Sequence, residues 1–238
     1  MKKARRRRNS VVFCVVAYLS AVLIPTMLTP EMTEEMRCCV CGNADPAQFT
    51  ERFARLNWIV VQCNKCSFDF LPPYFRKQIT YTQYKDESVT QQVRQGNNEL
   101  KIQRHLLRLK LIRKYIASGK LFDLGSGWGH FMMASKRVGF DVYGIEISEQ
   151  PYLYSKNDLN LPVDHIDFFE MKEDVKFDVI TMWDVLEHID AADKVLEKCN
   201  RITNKGGYVV IQVPQIDSYI AKRQKSNWDA SISISYVL

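Results

Sequence analysis

The stretch Lys120–Gly139, KLFDLGSGWGHFMMASKRVG, puts Gly125, Gly127 and Gly129 within five residues, directly after an apolar run that carries Asp123 and ends at Leu124. Glycine has no Cβ, so it accepts positive φ and lets a ligand lie against bare backbone, and it loses the most conformational freedom on folding. Three of them where a strand hands over to a helix mark a loop that must bend sharply and keep one side open.

Outward from this loop the chain alternates. LFDLG reads as a buried strand and HFMMASKRVG as a helix closed by Gly139. DVYGIEIS reads as a second strand with Glu146 near its end, and EQPYLYSKNDLN as a helix. PVDHI is a third short strand, FDVITMW a fourth, AADKVLEKCNRIT a helix, and YVVIQVP a fifth strand after the turn NKGG. Strands alternating with helices predict an α/β fold, a parallel Rossmann-like sheet with right-handed crossovers and helices on both faces. Ligands in such sheets bind beyond the carboxyl ends of the strands. Glu146 lies 21 residues after Gly125, where a carboxylate can accept both hydroxyls of a ribose, so the expected ligand is an adenosine-type cofactor.

Upstream, residues 76–98 are polar without a clean period and read as a connector, or a flap over a site. From Glu99, Ile102, Leu106, Leu109, Ile112 and Ile116 recur at helical spacing, with Gly119 as the stop. Before the connector lie two knuckles, Cys38-x-x-Cys41 and Cys63-x-x-Cys66, separated by 21 residues, just beyond the about 15–20 usual for paired zinc knuckles. Four thiolates from two tight turns suit a tetrahedral structural Zn2+ with no open position. NWIVVQ reads as a strand delivering the second knuckle and SFDFLP as a short strand after it. Residues 36–75 thus form a zinc-ribbon-like module too small to hold a core without its metal. The alternative is a pair of unmetallated or redox C-x-x-C motifs. Cys39 is a spare thiol, and Cys14 and Cys199 are apolar packing residues.

The chain has 238 residues, 46% hydrophobic and 25% charged, a globular composition. Its formal charge of +6 comes from Lys2, Lys3 and Arg5 to Arg8; the remainder carries 27 basic and 27 acidic residues. A neutral body offers no broad basic face for nucleic acid. Seven clustered cysteines argue against a secreted disulfide framework and for a reducing, cytoplasmic compartment. Residues 1–35 complicate that placement. A basic start followed by an apolar run from Val11 to Leu28 has the pattern of a signal peptide or short anchor. Three readings stay open: an upstream extension with Met32 or Met36 as alternative starts, a membrane anchor through residues 1–28, or a cleaved export signal.

The glycine spacing Gly125-x-Gly127-x-Gly129 after Asp123 departs from the dinucleotide form G-x-G-x-x-G. It resembles the class I S-adenosylmethionine-dependent methyltransferases, whose first motif runs apolar-Asp-x-Gly-x-Gly-x-Gly. FDVITMWDVLEHI (Phe177–Ile189) resembles the segment around the fourth strand in the subgroup of ubiquinone-biosynthesis O-methyltransferases and sugar or natural-product methyltransferases. ITNKGGYVVIQVP resembles the family's turn and fifth strand. The cysteine leader with FLPP is similar to a bacterial branch linked with cell-surface polysaccharide pathways.

The resemblance implies methyl transfer from S-adenosyl-L-methionine to O, N or C of a small molecule or sugar. It assigns Gly125, Gly127 and Gly129 to the methionine part of the cofactor, Asp123 to its amino group, Glu146 to the ribose and Ile147 to the adenine face. Asp167 matches the position that accepts the adenine amino group, with Phe168 beside it. Met182 and Trp183 would lie near the sulfonium, where an aromatic face suits a cation. His188 is the candidate general base. Competing readings are an NAD-dependent oxidoreductase and a non-catalytic or degenerate binding protein. The family sheet has seven strands, but only 24 residues follow Pro214. The expectation is a methyltransferase domain over 99–238 whose C-terminal strands are incomplete, leaving an exposed sheet edge.

Overall fold

The computed structural model describes residues 36–55, 58–76, 87–189, 191–215, 218–224 and 236–237. The apolar leader therefore lies outside the described residues, as does most of DASISISYVL. No helix among the described residues is long and apolar enough to cross a membrane.

Two sheets form. The first is antiparallel, with β1 (Phe49–Arg55), β2 (Trp58–Cys63), β3 (Asp69–Phe70) and β9 (Tyr236–Val237) in that order. Its core gathers Met36, Cys38, Phe49, Val61, Phe70 and Leu71. Two short or medium helices, α1 (Pro73–Arg76) and α2 (Glu87–Gln95), lead to α3 (Asn98–Ile112). The second sheet is parallel, in the order β6 (Val163–Asp164), β5 (Phe140–Ile145), β4 (Gly119–Leu124), β7 (Phe177–Trp183), β8 (Thr203–Gln212). Its crossovers are α4 (His130–Arg137), α5 (Glu149–Leu153) with the π turn Tyr154–Asp158, and α6 (Ala192–Ile202); α7 (Tyr219–Gln224) follows β8.

Both faces of the parallel sheet are covered, as this class of sheet requires. Alternation along β4 and β7 sorts the side chains. Leu121 and Val179 join Ile102, Leu109, Ile112 and Phe131 of α3 and α4 on one face. Phe122, Leu124, Ile180 and Met182 join Val195, Cys199 and Ile202 of α6 on the other. The strand order reverses between β4 and β7, which opens a crevice beyond their carboxyl ends. The glycine turn sits in that crevice.

Several sequence expectations are corrected. The connector contains α2, a nine-residue helix, on which Thr90 is 1% exposed. The helix starting near Glu99 is capped by the Asn97 side chain and ends at Ile112, not at Gly119. Gly119 instead opens β4 at φ 137, where a Cβ would come within 2.5 Å of Asp178 Oδ2. The expected turn NKGG lies inside β8, where its register against β7 slips. Strand β1 was not expected at all. Tyr236–Val237, at the end of the expected methyltransferase domain, pairs with β3 in the cysteine-bearing sheet. Among the described residues no strand pairs with the outer edge of β8, and Tyr208 and Val209 are exposed there.

Candidate active site

Gly125, Gly127 and Gly129 all adopt left-handed backbone, with φ of 69, 53 and 71°, where other residues are strained. Their missing Cβ atoms play different parts. At Gly125 a Cβ would meet Val185 at 2.7 Å, and at Gly129 it would meet Leu161 at 2.6 Å and Ser155 Oγ at 2.9 Å. At Gly127 it would meet nothing within 4 Å. The outer two glycines make room for the protein, and the middle one leaves room for something else. The loop is pinned by backbone bonds from Gly125 and Ser126 N–H to the Ile145 carbonyl, each 3.0 Å. Ser155 Oγ, on the π turn, donates to the Gly127 carbonyl at 3.0 Å. π turns recur at functional positions.

Glu146 follows β5 and is 7% exposed. One carboxylate oxygen accepts from Gly127 N–H and the other from Ser148 N–H, both at 2.7 Å. Two N–H donors leave lone pairs on both oxygens. Asp123 sits beneath the loop, fully buried, and accepts from Thr181 Oγ1 at 2.6 Å. Burial pushes its pKa up to about 7; the Thr181 bond opposes this, the charge of Glu146 adds to it, and Arg108 opposes it. Ser126 Oγ is buried between the glycines without a protein partner.

The expected adenine side is assembled from two loops. Ile147 is 67% exposed, and its carbonyl accepts from His165 Nε2 at 2.8 Å. Asp167 accepts from Phe169 N–H at 2.7 Å. Phe168 is 4% exposed and stacks on Phe122, so its ring belongs to the core on the α6 face. Met182 is in the same core and wholly buried. Trp183 faces the other way, with the Arg108 guanidinium 4.6 Å from its ring centre and Phe131 at 4.9 Å. Its indole N–H is buried and has no hydrogen-bond partner among the described residues.

The corner after β7 carries three titratable groups. Asp184 holds φ 56, a conformation costing about 1–3 kcal/mol outside glycine, and accepts from Gln212 Nε2 at 3.2 and 3.1 Å. Glu187 is 0% exposed and neither oxygen has a hydrogen-bond partner. Burial pushes its pKa up to about 8, its own backbone N–H opposes this, and Asp184 adds to it. His188 Nε2 lies 3.9 Å from Glu187 Oε1, and burial lowers the His188 pKa against the opposing charge of Asp184.

The four cysteine sulfurs converge. All lie within 4.8 Å of one another, with Cys38–Cys66 at 3.5 Å and Cys41–Cys63 at 3.6 Å. A tetrahedron with Zn–S near 2.3 Å has edges of about 3.8 Å, so this donor set fits zinc. Asn43 Nδ2 donates to Cys63 Sγ at 3.7 Å. The cluster is not remote from the crevice: β9 touches the Leu186–His188 turn, and Ala192 packs against the cysteine-side core.

Thr181, Ser126, Ser155 and Glu187 were not expected. Thr181 was detectable as the one hydroxyl inside the apolar run FDVITMW; the Ser155 bond to the Gly127 carbonyl and the burial of Glu187 arise from folding that spacing does not encode.

A family model described as a methyltransferase domain matches residues 94–234. The ubiquinone biosynthesis O-methyltransferase of Pseudomonas aeruginosa is 29% identical over 133 residues, covering 53% of this chain and 55% of the relative. The chain thus spans about half the length of the curated relatives it matches. Among solved structures, the sugar N-methyltransferase KedS8 from Streptoalloteichus sp. aligns with TM-score 0.44 and 16% identity, over 55% of this chain and 54% of that one. A SAM-dependent methyltransferase from Thermotoga maritima aligns with TM-score 0.47 and 19% identity, over 63% and 72%. The family match takes in more than half of the sequence, including the glycine turn, Glu146 and the corner from Trp183 to His188, and on that match the chain belongs to the methyltransferase domain family.

Proposed function

We propose that this chain binds S-adenosylmethionine across the Gly125–Gly129 loop and transfers its methyl group to an oxygen, nitrogen or carbon atom of a small-molecule or sugar acceptor. The observation that carries the reading is the open side of Gly127, where a Cβ would meet no protein atom, directly beside the Glu146 carboxylate that its own N–H orients. That pairing fits bare backbone against the methionine portion and a carboxylate toward the ribose hydroxyls. Asp123 and Ser126 supply polar groups beneath the loop, and Ile147 and Asp167 supply an apolar face and an acceptor for adenine. Bound there, the cofactor supplies an electrophilic methyl group. In this reading His188, whose pKa burial lowers, is the base that takes a proton from an oxygen or nitrogen acceptor. The rest of the work is positioning.

Cys38, Cys41, Cys63 and Cys66 hold a structural Zn2+ in this reading. Four sulfur ligands close the coordination sphere, so the metal stabilises the antiparallel sheet and takes no part in transfer. A reducing, cytoplasmic setting suits four thiolates.

The test is calorimetric titration of S-adenosylhomocysteine into the full chain, with Glu146→Ala as control and NAD as the counter-ligand. Micromolar binding of the homocysteine compound, lost in the control, is expected. Binding of NAD alone would reject the reading in favour of an oxidoreductase.

A further inference from the structure

Lys198 lies on α6 in an unusual setting. It is 3% exposed, and its ammonium donates to the carbonyls of Phe168 at 2.7 Å, Phe169 at 3.3 Å and Met171. The Phe168 ring centre lies 5.0 Å from the same nitrogen. An ammonium has three N–H donors, and here all three have carbonyl partners in one short loop. A buried lysine usually needs an acidic partner; this one is held by main-chain oxygens, much as a bound cation would be.

The loop it grips is the one that leaves β6 and carries Asp167. At its start His165 is tied to the Ile147 carbonyl. At its end Lys198 gathers residues 168–171. Asp167 sits between the two tethers, and the Phe169 N–H fixes one of its oxygens. Phe168 and Met171 anchor the loop in the core on the α6 face, but the core does not fill the space beside it. A cavity of about 490 Å³ opens there, lined by Ile166, Glu170 and Met171 together with Tyr143 and Phe177, and Phe169 is 45% exposed.

We propose that Lys198 is a positioning residue for recognition of the cofactor's base: by clamping the carbonyls of Phe168, Phe169 and Met171, it sets the Asp167 carboxylate where it can accept a hydrogen bond from the exocyclic amino group of adenine. This rests on the cofactor reading above. The role is discrimination between bases, not chemistry at the methyl group.

The experiment measures the affinities of S-adenosylhomocysteine and S-inosylhomocysteine for the full chain. The second ligand carries a carbonyl where adenine carries its amino group, which faces the Asp167 carboxylate unfavourably. The wild type is expected to prefer the adenosyl ligand by about tenfold or more. In Lys198→Met, which keeps the volume and removes the donors, adenosyl affinity falls about tenfold and inosyl affinity stays within about twofold, so the preference collapses. Should Lys198→Met not fold, Lys198→Gln is read on the same ratio; it can serve at most two of the three carbonyls, and a reduced preference is expected. An unchanged ratio in a folded variant, or equal losses for both ligands, overturns the proposal while leaving the cofactor reading intact. A wild type that binds neither ligand removes the cofactor reading and this proposal with it.

Discussion

Thr181 on β7 donates a 2.6 Å hydrogen bond to Asp123, its register partner on β4. The pair sits at the switch point of the sheet, directly beneath the glycine turn. The bond offsets part of the burial penalty on the carboxylate, yet the Asp123 pKa still rises to about 7.

The raised pKa makes stability depend on pH. Between about pH 4 and pH 7 the unfolded chain has released the Asp123 proton and the folded chain retains it, so stability falls as pH rises through this window and levels off above it. Asp123→Asn removes that dependence while keeping an oxygen for Thr181. The variant is expected to gain on the wild type by up to about 4 kcal/mol between pH 4 and pH 7. Urea unfolding across that range checks it; a constant difference between the two proteins refutes it.

Gly127→Ala and Gly129→Ala should fail in different ways. At Gly127 the added methyl meets no protein atom, so the stability loss is limited to the left-handed backbone, about 1–2 kcal/mol, and cofactor affinity falls by more than about tenfold. At Gly129 the methyl runs into Leu161 and Ser155, and overpacking adds about 1–3 kcal/mol to the backbone strain. Melting curves and calorimetry on both variants separate the two effects. Equal stability losses would show that the sides of the loop are not distinct.

The parallel sheet was legible because its central strands β4 and β7 are buried and read as apolar runs, and because the glycine turn is a local, spacing-based signal. What escaped reading had no such period. In β1 a bulge between Glu51 and Phe53 breaks the alternation. Helix α2 has only Val89 and Val93 as an apolar stripe and buries Thr90 as well. Lys198 did leave a trace: with Val195, Cys199 and Ile202 it occupies the buried spacing of α6, a lysine at a core position. Phe168 and Met182 lie buried in the core shared with α6, a placement that spacing near a strand end does not fix.

Burial lowers the His188 pKa from its usual value near 6.5. A base with a depressed pKa stays neutral to lower pH, so the acid limb of the rate profile is expected below about pH 6.5. His188→Ala should lower turnover by about 10²–10⁴ for an oxygen or nitrogen acceptor and flatten that limb, with cofactor affinity little changed. An acid limb that survives in the variant assigns it to another group.

Glu187 makes the opposite demand. It is wholly buried and its pKa is pushed up to about 8, so it is protonated in the folded chain at neutral pH and ionised when unfolded. Stability contributed by the neutral form is lost progressively between about pH 4.5 and pH 8. Glu187→Gln keeps the shape without the charge and should be stabilised relative to wild type at pH 8 more than at pH 5. Thermal melts at the two values decide this; a variant penalised most at pH 8 would mean the ionised carboxylate has a partner in the folded protein.

The cysteine cluster and the crevice share a boundary, because β9 pairs with β3 on one side and touches the Leu186–His188 turn on the other. Metal removal should therefore be felt beyond the knuckles. The full chain is expected to carry one zinc, and Cys63→Ser, which replaces a sulfur with 0% exposure, should lose it. After chelation, amide exchange should rise through residues 49–70, where the small sheet has little core of its own, and also at residues 186–188. Exchange at Leu121–Leu124 should stay slow, since that strand is held between β5 and β7. Exchange mass spectrometry with and without chelator resolves the three segments. If residues 186–188 stay protected while 49–70 open, the metal supports the small sheet alone and has no hold on the corner that carries His188.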